Sequence, residues 1–91
     1  MKKTTEPVIT YATVIRFLGN AEFVKNISNE NELVIDEYTK NGNKIEVYYS
    51  LGEKNKIPSP KGEYKAYDMY GNPIEIGGKI TVTNSPIYIV Y

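Results

Sequence analysis

The chemistries for which this sequence supplies residues are acid–base hydrolysis by paired carboxylates, nucleophilic attack by a hydroxyl, and cation binding by side-chain oxygens. Histidine and cysteine are both absent. Their absence removes the usual general base, the commonest metal ligand and any thiolate or disulfide. Glycoside hydrolysis needs two carboxylates about 5–9.5 Å apart on either side of a sugar. Asp36 and Glu37 are adjacent in what reads as a strand, so they point to opposite faces. Asp68 precedes Tyr70-Gly71-Asn72, where a carboxylate is placed to accept backbone N–H groups as an Asx-type turn cap. Ser28, Ser50, Ser59 and Ser85 lie in loop-like or strand-end settings without the Gly-X-Ser-X-Gly elbow of a hydrolase, and any base would have to be Lys or a carboxylate. Asn29, Glu30, Asn31 and Glu32 offer oxygens, but the Asp-X-Asp-X-Asp-Gly spacing of a calcium loop is missing and a solvated loop is expected. The sequence thus predicts no catalytic residue, no metal and no cofactor.

Nine tyrosines and no tryptophan are the one compositional oddity. A tyrosine ring serves a half-buried sheet face or stacks on the C–H face of a sugar. Tyr48, Tyr64, Tyr67 and Tyr70 are the candidate carbohydrate or partner contacts, should they share an exposed face. Sheet packing is the expected use, since tyrosine is a natural strand former. Eleven basic residues balance eleven acidic ones. Without a net field, neither nucleic acid nor a membrane surface is an expected partner. The basic start, Met1 to Pro7, is followed by residues broken by Thr10, Thr13 and Arg16, and neither a signal peptide nor a transmembrane span is read in it. The compartment is left open.

The elements that must position these residues read as one mostly β domain over residues 1–91, with 1–6 as a tail. Thr4-Thr-Glu-Pro7 has the capping and proline chemistry of a helix start, and a helix is predicted over 7–19. Val8, Tyr11, Ala12, Ile15 and Leu18 form one stripe at helical spacing, which should pack on the sheet, and Gly19-Asn20 provides a left-handed stop. The β-branched residues among 8–15 make a strand the competing reading. Strands follow at 21–25, 33–38, 44–49, 64–69, 79–83 and 87–91. Lys40-Asn41-Gly42-Asn43 is the strongest hairpin signal. A two-residue turn would pair Ile45 with Tyr38, and a three-residue loop would pair it with Glu37; each sets two acids opposite each other, so patterning leaves the register at 39–44 open. Residues 51–62, with Gly52, Pro58, Pro60 and Gly62, are expected to be a long loop. Asp68, Gly71 and Asn72 make a structural turn, and the 64–91 stretch is expected at a sheet edge. Short strands with one leading helix predict an antiparallel β-sandwich.

Lys65-Ala-Tyr-Asp-Met-Tyr-Gly-Asn-Pro73, a glycine-containing spacer, Ile80-Thr-Val82 and Ser85-Pro-Ile-Tyr-Ile89 together resemble the C-terminal β-sandwich that follows the catalytic (β/α)8 barrel of many bacterial glycoside hydrolases. Tyr11 to Leu18 followed by Ala21-Glu-Phe-Val24 looks like the join from the last barrel helix into that sandwich. The family often carries a tryptophan where this chain has Tyr48-Tyr49-Ser50. The resemblance implies a non-catalytic accessory domain, with the barrel as partner in cis or in trans. It places none of the family's catalytic carboxylates on this chain. A bare docking face should then expose an apolar patch of more than a few hundred Å2, through which the chain can self-associate. The alternatives are a carbohydrate-binding module that grips polysaccharide through tyrosines, and a free-standing Ig-like interaction protein that pairs through a sheet edge.

Overall fold

The computed structural model describes residues 10–28, 32–52 and 54–91. It is a mostly antiparallel β fold with one short helix. The helix α1 spans Tyr11–Leu18, and the strands are β1 (Glu22–Ser28), β2 (Leu33–Lys40), β3 (Asn43–Ser50), β4 (Asn55–Pro58), β5 (Lys65–Tyr67), β6 (Pro73–Ile74), β7 (Lys79–Val82) and β8 (Ile87–Val90). A six-stranded sheet runs β1-β2-β3-β8-β5-β6, and β4 pairs with β7 in a separate two-stranded ribbon. The layers are helix, sheet and ribbon. Among the described residues no helix is long and apolar enough to cross a membrane.

The β2–β3 hairpin settles the register. Lys40 pairs with Asn43 and Tyr38 with Ile45 around a two-residue turn. Asn41 at φ 53° and Gly42 at φ 81° supply the two left-handed residues that a type I′ turn demands. The period of two then divides the sheet. Leu33, Ile35, Tyr48 and Ile89 fall on one face, with Ala66, and pack against Ile80 and Val82 of the ribbon. Val47 and Tyr88 fall on the other face and receive Phe17 of α1. Val82 and Ile89 are wholly buried.

Five expectations are corrected. The 64–91 stretch is a sheet edge only in part: β6 is the terminal strand, but β8 lies between β3 and β5, where both of its ladders are paired. Residues 51–62 are not all loop, because Asn55–Pro58 form β4 against β7. Pro58 is tolerated there because β4 is paired on one side only, so the missing N–H breaks no second ladder. The helix is shorter than 7–19, and the predicted cap and proline at 4–7 lie outside the described residues. Thr10 stands at its N-cap, and the left-handed stop expected at Gly19-Asn20 is supplied by Asn20 (φ 63°, against −60° for Gly19).

The fourth correction concerns which face of the helix is buried. Thr13 and Phe17 are buried, whereas Tyr11 is 77 % and Ile15 53 % exposed, and Ala12 is exposed beside them. Of the stripe expected to meet the sheet, Tyr11, Ala12 and Ile15 face away from it, Leu18 packs against the cluster of Phe17, Val47 and Tyr88, and Val8 lies outside the described residues. Aromatic packing decides the rotation: the Phe17 ring stacks on Tyr88 at 4.9 Å and leans on Tyr67 at 4.8 Å. The strand β1, expected over 21–25, runs on to Ser28, and its register shifts leave Val24 and Ile27 as bulges.

Candidate functional site

The turn after β5 is built by Asp68. Its Oδ1 accepts the backbone N–H groups of Tyr70 and Asn72, each at 2.9 Å, and its carbonyl accepts the N–H of Gly71. Gly71 takes φ 84°, and a side chain there would stand 2.8 Å from Arg16 Nη1. Arg16 Nη1 donates to the Gly71 carbonyl at 2.9 Å, so the turn is tied to the helix. Asp68, Gly71 and Asn72 form one turn. Its role is to hold the backbone.

The four candidate tyrosines do not form a strip. Tyr48 is buried at 6 % exposure among the residues that meet the ribbon. Tyr64 packs half-buried against that same cluster, whereas Tyr67 is half-buried on the opposite face beneath α1. Tyr70 is 67 % exposed on the turn. A sugar stacked on one of these rings would not reach the others.

Sequence reasoning missed a cluster around Glu46. This residue lies on the ribbon-facing side of β3, and its side chain is 8 % exposed. The Tyr48 hydroxyl donates to Glu46 Oε1 at 3.1 Å, and the Tyr91 hydroxyl donates to the same oxygen. Lys44 Nζ stands 3.9 Å from Oε2 and 4.3 Å from the centre of the Tyr91 ring. Charge-assisted donors of this kind are what permit a carboxylate in an apolar layer. The signal was present as an acid in an apolar row, but Tyr91 is 45 residues away in sequence. The observed register also sets Glu37 opposite Glu46. Among the described residues no group of three acidic side chains is placed to hold a metal ion.

Several phenols are held neutral. Burial, then the neighbouring Glu46, raises Tyr48 above the ordinary value near 10; burial, then the hydrogen bond to Glu46, raises Tyr91. Burial also raises Tyr38, Tyr49 and Tyr88, with Asp36 adding to the first two. A folded-state pKa above the unfolded one gives stability that is complete below the unfolded value and lost as pH rises beyond it. Unfolding free energies from urea titration should therefore hold steady to about pH 10, then fall by about 1.4 kcal/mol per pH unit for each phenol so raised. Tyr48→Phe and Tyr88→Phe should flatten that decline. Midpoints that stay level to about pH 11.5 would contradict this placement of the hydroxyls.

The outer side of α1 is the larger feature. Tyr11, Ala12 and Ile15 form an apolar ridge, and Phe23 of β1, 58 % exposed, lies beside Tyr38 with ring centres 5.5 Å apart. Between α1 and the sheet a cleft of about 210 Å3 is lined by Val14, Leu18, Tyr38, Tyr49 and Pro86, among others. Tyr11 and Ile15 on α1 and Phe23 on β1 are large apolar side chains left exposed, and it is contiguous apolar surface that marks an interaction site. Searches of protein families, of characterised proteins and of solved structures find no match to this chain.

Proposed function

We propose that the chain is a non-catalytic docking module that packs the outer side of α1 against a larger protein. The observation that carries this reading is the apolar stripe Tyr11, Ala12 and Ile15, left exposed on a helix whose other side is already satisfied by the sheet. A helix with apolar residues on both sides is suited to lie between two bodies. The resemblance of 65–89 to the sandwich that follows glycoside hydrolase barrels names that body as a catalytic (β/α)8 barrel. In this reading the module stabilises the barrel and contributes no reacting group. The Glu46 cluster then serves the module's own fold.

Pairing through a sheet edge is disfavoured by geometry. In the six-stranded sheet one edge strand, β1, is interrupted by bulges at Val24 and Ile27, and the other, β6, is two residues long. Both features obstruct the addition of a further strand. Stacking of polysaccharide is disfavoured by the scattering of Tyr48, Tyr64, Tyr67 and Tyr70 over two faces and a turn.

Amide spectra of the labelled chain distinguish these readings. Added to a glycoside hydrolase barrel stripped of its own sandwich, the chain should show broadened signals at Tyr11 to Ile15 and at Phe23. Soluble xylan, glucan and mannan oligosaccharides should move nothing. Saturable shifts at Tyr64, Tyr67 or Tyr70 with any of these sugars would replace the docking reading with a carbohydrate-binding one.

A further inference from the structure

At the C-terminal end of α1 a cavity of about 260 Å3 has Phe17, Ile45 and Tyr67 in its wall and Arg16, Lys40 and Asn43 at its polar side, with Asn41 adjoining. Its two cations are held in place. Arg16 donates to the Gly71 carbonyl at 2.9 Å, and its guanidinium carbon stands 4.7 Å over the Phe17 ring and 5.3 Å over that of Tyr67. Lys40 Nζ donates to the Arg16 carbonyl at 2.9 Å. A guanidinium has five N–H donors and an ammonium three, so each cation keeps donors to spare.

Among the described residues neither cation is paired with a carboxylate. The acids that flank this side are engaged elsewhere. Asp36 Oδ1 accepts Asn26 Nδ2 at 3.0 Å, and Asp68 Oδ1 accepts two backbone N–H groups in the very turn that Arg16 holds. Among the described residues no acidic side chain lines the cavity. Two fixed cations beside side-chain amides, above an apolar floor, have the donor chemistry that suits a small anion. The planar fork of Arg16 suits a carboxylate.

We propose that this cavity is a carboxylate-binding pocket, filled by an Asp or Glu side chain of the docking partner. The inference rests on the docking reading and supplies its charged complement: an apolar ridge along α1 gives contact area, and the pocket at its end fixes orientation. The pocket is open to test on the isolated chain, independently of any partner.

Amide spectra titrated with sodium acetate, against sodium chloride at matched ionic strength, read it directly. Saturable shifts confined to Lys40 to Asn43 and the end of α1 are expected with acetate only. Lys40→Met should weaken acetate binding about fivefold or more, and Lys40→Arg should restore it. Shifts that are the same in acetate and chloride would overturn the pocket. Phosphate binding about tenfold tighter than acetate would overturn its assignment to a carboxylate. The source is tested on the barrel: Lys40→Met should weaken docking about tenfold. Unchanged docking by a variant that has lost acetate binding would assign the pocket to a free carboxylate ligand and overturn the partner side chain. No docking by the natural chain, with acetate binding intact, would fail the docking reading and leave the pocket.

Discussion

Phe17→Ala is expected to destabilise the fold by about 3–5 kcal/mol, the range for deleting a buried aromatic ring. Phe17 is 7 % exposed and is the ring through which α1 meets the sheet. Its removal abolishes the stack on Tyr88, the tilted contact with Tyr67 and the seat of the Arg16 guanidinium in one step. An eight-residue helix has too few turns to persist by itself, so loss of this anchor should free α1 altogether. Against a total stability of about 5–15 kcal/mol for a domain, the loss is a large fraction. Urea unfolding should show a lowered midpoint, and Phe17→Leu should recover part of it by refilling the volume. A loss below about 1 kcal/mol would mean that the helix is not held as described.

The second large effect is on binding. Tyr11→Asp with Ile15→Asp should reduce affinity for a docking partner about 100-fold or more, because truncating central apolar anchors commonly costs 2 kcal/mol or more. Neither side chain is committed to the core, so the fold should lose little. An aspartate at position 11 also sits in the first turn of α1, where a negative charge is favoured by the helix dipole. Stability and docking therefore separate at this ridge. At Phe17 they fail together.

Local chemistry made much of the fold legible. Asn41-Gly42 fits a turn that needs two left-handed residues, and the hairpin formed where that dipeptide stands. Asp68 caps the turn before Pro73 because a short acid two residues from a free N–H needs no tertiary help. What was not legible depended on distant partners. Both Tyr11 with Ile15 and Val14 with Phe17 recur at helical spacing, so periodicity could not say which pair meets the sheet. That choice was made by Tyr67 and Tyr88, far along the chain. Two registers of the hairpin each set acids opposite one another, and the adopted one places Glu46 where the hydroxyls of Tyr48 and Tyr91 reach it. β4 was hidden by the glycine and proline around it, since a strand paired on one side can end at Pro58. The pocket between Arg16 and Lys40 had no sequence signal, because helix end and hairpin turn meet only in the folded chain.

The central claim is that the outer side of α1 is a protein-docking face. Calorimetric titration of the chain into a glycoside hydrolase barrel lacking its sandwich tests it most directly, with the Tyr11→Asp, Ile15→Asp variant run in parallel. Saturable binding by the natural chain, lost in a variant whose urea midpoint is unchanged, is the result predicted. Equal affinity of the two chains for the barrel, or no binding by either, would contradict it.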